Sequence, residues 1–286
     1  MNRFFSMTVL LGPMAVMAGL LFLLWDHPAR ELLVSLGAVV LVAASLLLER
    51  LWPRHRTGDG VPRSEIAGDI GSFVLVFGLL DSALKWLTPF LVVALFPVAG
   101  LPGVNLGLQT LLVALWIEFA AWGSHWAHHR FKSLWALHAM HHSTEHLYAL
   151  NNFRFHPLNH AINHFAMLLP PLLLGAAPEA ILIYSALSLP VLLLQHSNVA
   201  FDFGPLNRVL NTNDLHRWHH SADPSEGTKN LGRATVIWDH VFGTYLRPDT
   251  GTGPKRIGLF RISRNFPDAS RFWAQLLWPF SKGCCT

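Results

Sequence analysis

Charge is scarce in this sequence. Asp, Glu, Lys and Arg make up 13% of 286 residues, where a soluble domain carries about a quarter. Cysteine is scarcer still: Cys284 and Cys285 are the only two, at the extreme C-terminus. They close no loop, so a disulfide framework is excluded, and so are iron–sulfur and thiolate-zinc sites. The final GCCT is not a C-a-a-X prenylation box. No G-x-S-x-G turn, P-loop or dinucleotide fingerprint occurs, which removes the serine-hydrolase elbow and built-in nucleotide chemistry. Glu-x-x-His, the ligand pair of soluble di-iron bundles, is absent as well. The basic excess is small, 21 against 17 for a net +4, and needs no nucleic acid to explain it.

What remains is apolar. Hydrophobic residues are 52% of the chain and gather in long runs, which predicts an all-α, polytopic membrane bundle. Spans are expected at about 7–25, 32–48, 70–96 and 106–122. The first is too long, and Asp26-His27-Pro28 too poor a cleavage site, for a cleaved leader. Within the third, Asp81 and Lys85 stand four apart, fit to pair on one face as a polar seam. The 97–105 stretch, rich in Pro and Gly, reads as a loop. Two shorter runs, Phe165–Leu174 and Ala180–Leu194, read as a helical hairpin or re-entrant pair over 165–194. Pro170 and Pro171 interrupt the first, which is half a span long. The basic loop at 52–66, with Arg54, Arg56 and Arg63, is expected in the cytoplasm. Residues 123–164 and 195–286 then form a cytoplasmic cap, with Trp273–Phe280 at the interface. The whole, 1–286, reads as a single integral-membrane domain.

Histidine is the residue in excess. Of 17, 14 lie between residues 125 and 220. The stretch His125–His142 reads HWAHHRFKSLWALHAMHH, and HRWHH at His216–His220 repeats the form of its end. His125 and His129 are four apart. His141 and His142 follow His138 by three and four, as His219 and His220 follow His216. On a helix such positions share a face, so each box is expected to aim two or three imidazoles at one point. Eight box histidines exceed what one ion takes and suffice for two. Imidazole suits iron, zinc, copper and nickel alike. A di-metal site open to dioxygen fits a di-iron oxygenase. A zinc hydrolase, a membrane haem electron carrier and a metal transporter stay as alternatives, though the last two would place ligands within the spans.

Six motifs in combination, over roughly 106–247, make the sequence resemble the fatty acid hydroxylase superfamily, also called the sterol desaturase family. They are H-x-x-x-H at His125 and His129, LHAMHHS at 137–143, FRFHPLN at 153–159, LQHSN at 194–198, LHRWHHS at 215–221 and WDHVFGTY at 238–245. The resemblance implies a membrane enzyme using two iron ions, with zinc as a substitute, and dioxygen to hydroxylate or desaturate a lipid. The substrate would be an acyl chain, sterol, carotenoid or ether lipid. A pterin-dependent ether-lipid monooxygenase and a carotenoid hydroxylase are the rivals within it. Position by position, it implies His125, His129, His138, His141, His142, His216, His219 and His220 as ligands. It adds His196 and His156, and no catalytic residue beyond the ligands. Electrons would come from a donor protein or added reductant. The chain departs from the pattern at Glu118, which takes an acidic position usually held by Asp. It departs again at Trp126, in the place of an Arg, and at Asn230-Leu231-Gly232, where Asn-Tyr-Gly is usual.

Other residues are read more plainly. His128 is expected behind the ligands or at the interface, and His146, His160 and His164 as polar cap residues. His27, His55 and His240 are expected to stay off the metal. Glu145, Asp214, Asp239, Asn198 and Asn230 are fit to accept an imidazole's second N–H. Trp122, Trp126, Trp135 and Trp218 are interfacial anchors or walls of an apolar tunnel.

Overall fold

A computed structural model describes residues 2–55, 61–95, 100–101, 103–247, 253–260, 263 and 265–281. Arg56, residues 96–99 and both cysteines lie outside the described residues. Four helices are long and apolar enough to cross a membrane. They are α1 (Arg3–Leu23), α2 (Arg30–Leu51), a continuous Arg63–Ala94 helix and α5 (Leu106–Arg130). The third is composite: α3 (Arg63–Ser72), a π-helical stretch (Phe73–Leu80) and α4 (Asp81–Leu95). No strand forms among the described residues, only isolated bridges such as Pro53–Val199.

Side chains pick out the lipid-facing surface. Phe22 and Trp86 are each 83% exposed, with Val93, Phe90 and Leu32 exposed nearby. In water such a belt would aggregate, whereas in hydrocarbon it is the solvated face. Asn2 and Asn105 cap α1 and α5 through side-chain bonds to Phe5 N and Leu108 N.

The hairpin differs from its expected form. Its first arm, α7 (Pro157–Leu173), starts eight residues before the apolar run and continues through Pro170 and Pro171. Its second, α8 (Pro178–Leu194), has the same 17 residues, about 25 Å of helix. These are two full arms, not a half-span. One face of α8 meets Leu10 of α1 through Val191 and Leu194, while Ala180 and Tyr184 meet Val113 and Ile117 of α5. The small Ala180 and Ala186 are wholly buried, which lets the neighbouring helices close in. The hairpin turn at Gly175 (φ +79°) touches Gly100: a Cβ there would sit 2.7 Å from Gly100 Cα. That contact puts the turn and the 100–105 loop at one end, and the histidines are at the other.

At the histidine end a cap covers the bundle. Arg154, fully buried, donates to Asp69 Oδ1 of α3 (2.6 Å), Gln275 Oε1 (2.9 Å), and the Ala269 and Glu65 carbonyls. Gln275 lies on α12 (Phe272–Leu277), so one guanidinium ties three distant segments. Ser72 Oγ, just before the π-helical stretch, donates to Phe153 O and accepts from Phe155 N. The expected polar seam forms between α4 and α7. Asp81 meets Lys85 at 2.6 Å and His160 at 3.0 Å, and Thr88 meets His164 at 3.0 Å.

Candidate metal centre

Four stretches of chain deliver the imidazoles. His125 and His129 stand one turn apart in the last turns of α5. α6 (Lys132–His138) ends on His138, and a turn closed by His141 N to His138 O (2.9 Å) presents His141 and His142. His196 comes just after α8, beyond its C-cap Gln195. α9 (Asn213–His219) carries His216 and His219, with His220 at its end.

Nine histidines form two groups. His125, His129, His138, His142 and His219 make one; His141, His196, His216 and His220 make the other. In each, one ring nitrogen per residue lies within 4.8 Å of all the others. His125 and His129 share one group as expected of their box, but the other two boxes divide, contrary to the expectation of one point per box. HAMHH gives its first and last histidines to the five-membered group and His141 to the other. HRWHH gives His219 to the former and His216 and His220 to the latter. The two groups touch: His142 and His220 stack with centroids 4.3 Å apart.

Hydrogen bonds decide which nitrogen faces inward. His125 Nδ1–H donates to Leu231 O (2.9 Å), His138 Nδ1–H to Asn159 Oδ1 (2.8 Å), and His141 Nδ1–H to Arg154 O (3.1 Å). His219 Nδ1–H donates to Lys229 O (3.0 Å) and His196 Nδ1–H to Asn151 Oδ1 (2.7 Å). Asn151 Nδ2 donates to Thr144 Oγ1 and His146 O, so its oxygen is the end that faces His196. With Nδ1 protonated, each Nε2 keeps a lone pair.

Those lone pairs test the fit to a metal. Nε2 of His125 and Nε2 of His138 are 3.0 Å apart, as are those of His196 and His216. In the first pair both Nδ1 positions hold the protons, so no hydrogen separates the two Nε2 atoms. Two lone pairs at that distance repel, and a cation between them reverses the sign. Both nitrogens of His129, and His219 Nε2, are buried without a hydrogen-bond partner. A proton is a poor substitute for a metal here. Burial, then repulsion among neighbouring rings, holds His138, His142, His216, His219, His220 and His196 well below the ordinary imidazole value. Burial, with His125 and Arg154 nearby, takes His141 to about 3. Neutral, lone-pair-bearing and desolvated imidazoles are what a divalent transition metal needs.

His156 is not brought to either group. It caps α7: its Nδ1 accepts from Leu158 N (3.1 Å) and its Nε2–H donates to Leu276 O (3.1 Å). With both ring nitrogens engaged it has no lone pair for an ion. His128 is buried beside the first group and bonded through Nδ1 to Ser124 O (2.7 Å).

The carboxylates expected behind the imidazoles do other work. Asp214 pairs with Arg54 at 2.7 Å, and Glu145 is exposed. Asp239, on α11 (Ile237–Phe242), accepts from Leu231 N and Gly232 N, both at 2.8 Å, and so aims the Leu231 carbonyl that holds His125. Glycine is required at 232, where a Cβ would fall 2.0 Å from Thr235 O. Glu118 accepts from Tyr184 O–H (2.5 Å), Thr235 N and Thr235 Oγ1 (each 3.0 Å), fixing the other end of this loop to α5. Asn230 braces the same loop through Leu215 O and Leu246 O, and Asn198 binds His55 O. The residues that sequence reasoning missed are Asn159, Asn151 and the Arg154 carbonyl. Asn159 stood in the same FRFHPLN motif as His156.

Aromatic rings seal the groups. Phe260, 5% exposed, stacks on Trp135 at 4.7 Å and lies 5.9 Å from His129; Phe155 stacks on His141 at 4.4 Å. Trp122 stacks on Phe242 at 4.2 Å, and Trp126 is 42% exposed.

Membrane-crossing helices capped by paired histidine groups, with their lone pairs facing inward, define a class of membrane protein whose centre is built for cations. Sequence comparison says which family this is. The fatty acid hydroxylase profile matches residues 110–244. An ornithine lipid hydroxylase, OlsE of Rhizobium tropici, is 32% identical over 97% of this chain and 85% of its own. Alkylglycerol monooxygenases match more narrowly. That of Danio rerio is 35% identical, and that of Homo sapiens 33%, each over 26% of this chain and 17% of its own. No solved structure matches. The chain belongs to the fatty acid hydroxylase family and is a membrane oxidoreductase that hydroxylates lipid.

Proposed function

We propose that this chain, acting as one membrane-embedded unit, holds two iron ions and uses dioxygen to hydroxylate an acyl chain of an amino-acid-derived lipid. The observation that carries the reading is the pairing of two histidine groups, five and four strong, with unprotonated nitrogens turned inward. His125, His129, His138, His142 and His219 would hold one ion, and His141, His196, His216 and His220 the other. Bound there, the irons supply the redox chemistry that dioxygen needs to oxygenate a C–H bond. Asn159, Asn151 and the carbonyls of Leu231, Arg154 and Lys229 keep the Nδ1 protons of His138, His196, His125, His141 and His219 in place, so the Nε2 of these five stays free to bind. Phe260, Trp135 and Phe155 keep water from the rings. The overall balance is C–H plus O₂, two electrons and two protons, giving C–OH and water. The electrons come from a separate donor, since no nucleotide motif is present. Arg54, paired with Asp214 of α9, and Arg63, which opens α3, lie at the histidine end, which supports a cytoplasmic active site.

An aminolipid is favoured over an ether lipid because the ornithine lipid hydroxylase matches along nearly the whole chain. The test expresses this chain and His141→Ala beside a strain making ornithine lipid, under ¹⁸O-labelled dioxygen. Lipid heavier by one labelled oxygen, absent with His141→Ala, supports the reading. Loss of two hydrogens instead makes it a desaturase. Identical lipids in both strains, or metal analysis finding no iron in anaerobically purified protein, overturns it.

A further inference from the structure

Three arginines converge at the histidine end, sharing no residue with either histidine group. Arg3 opens α1, Arg208 closes a 3₁₀ turn (Gly204–Arg208), and Arg247 follows the segment after α11. With Gly204 and Pro205 they line a cleft of about 210 Å³. Gly204 has φ +51°, and a Cβ there would sit 2.5 Å from Arg3 Nε and 3.0 Å from Arg3 Cζ. Glycine thus lets the guanidinium lie on the turn. Asp202 meets Arg3 at 3.2 Å, whereas Arg208 and Arg247 pair with no carboxylate among the described residues. Three positive charges against one leave two in excess.

The surroundings suit a lipid. Arg3 is the first residue of a membrane-crossing helix, so the cleft lies at headgroup depth. Val236 N donates to Val209 O and His240 Nε2–H to Arg208 O (3.0 Å), which sets α11 against this turn. Val209, Val241 and Phe242 of this neighbourhood are each about half exposed or more, and Phe4 is 81% exposed. Guanidinium groups above an apolar shelf are what a phosphate-bearing membrane lipid requires.

We propose that the Arg3–Arg208–Arg247 cleft binds the phosphate of an anionic membrane lipid and seats the cap on the bilayer. The site is independent of the metal reading. The full chain, reconstituted in vesicles of equal phosphatidylglycerol and phosphatidylcholine, is analysed by native mass spectrometry for retained lipid. Wild type retains phosphatidylglycerol in preference. The R208Q/R247Q variant retains it about thirtyfold less, given the pull each basic residue exerts on an anionic headgroup. R50Q/K132Q removes the same charge from exposed positions at the same end and behaves as wild type. All three proteins keep the same circular dichroism and metal content. In a second arm, inorganic phosphate is titrated onto the detergent-purified chain. Phosphate binding that R208Q/R247Q abolishes, without lipid preference, keeps the phosphate site but makes free phosphate its source. Retention of lipid and phosphate by R208Q/R247Q at wild-type level, or equal loss in R50Q/K132Q, overturns the proposal.

Discussion

Replacing Asn159 by Ala tests whether the tautomer argument is sound. Asn159 Oδ1 is the acceptor that keeps the proton on His138 Nδ1, and His138 Nε2 is 3.0 Å from His125 Nε2 and 3.2 Å from His142 Nε2. Without that acceptor the buried imidazole has no reason to keep its proton outward. The proton can then move to Nε2, which turns N–H into the group and blocks an ion. Removing such an outer partner costs roughly tenfold to a hundredfold in metal affinity, or about 1.4 to 2.7 kcal/mol. The loss should be confined to one ion of two, because Asn159 supports only the five-histidine group. Asn151→Ala should weaken the other ion by a similar factor, through His196. Asn159→Asp, which keeps the acceptor and adds charge, should bind metal at least as tightly as wild type. Competitive chelator titration with metal quantification reads each step. Two unchanged affinities in Asn159→Ala would refute the assignment of the inward lone pairs. Equal weakening of both ions would refute the division into two groups.

His156→Ala should keep its full metal complement and lose about 1 kcal/mol of stability, the worth of a helix cap. His196→Ala should lose one ion; metal analysis and thermal melting separate the two. Asp69→Asn leaves the buried Arg154 guanidinium without its counter-charge, at a cost of about 3–5 kcal/mol, and the melting temperature in detergent should fall accordingly. In metal-free protein the cap histidines bind protons less readily folded than unfolded, because burial depresses them. The unfolded chain takes up protons below its ordinary imidazole value of 6.5. Stability is therefore whole above about that pH, and falls with acidification until the folded rings titrate, near 3 for His141. Melting temperatures flat from pH 8 to 5 would contradict this.

The membrane helices were legible because hydrocarbon imposes one rule on every residue facing it. The runs of Leu, Val and Phe expected near 7–25, 32–48, 70–96 and 106–122 fall, among the described residues, in helices with many of those side chains outward. Pro170 and Pro171 misled, because a proline pair within a helix packed against α5 disturbs less than it does in an isolated one. The histidine spacing gave away eight of the nine imidazoles, and the family resemblance His196, but not their partition, since positions i+3 and i+4 lie about 100° apart around a helix. In both boxes i and i+4 stay together, His138 with His142 and His216 with His220, while i+3 joins the other group, even in α9, which continues through His219. The roles of His156 and Asn159 were unreadable for a related reason: both are polar, three apart in one motif, and only the packing of α7 and α12 decides which meets an imidazole.

By composition alone, the chain is committed to the bilayer and to an imidazole-rich, thiolate-free centre. Those properties belong to residue types and survive any arrangement. Tertiary structure decided which histidines share a centre, which nitrogen of five of them faces inward, and that backbone carbonyls and asparagines, not carboxylates, hold the outer protons of those five. These are properties of distance and direction between residues up to 106 apart, such as His125 and Leu231. Hydrogen bonds form only where the fold brings donor and acceptor together, and no local pattern records that meeting.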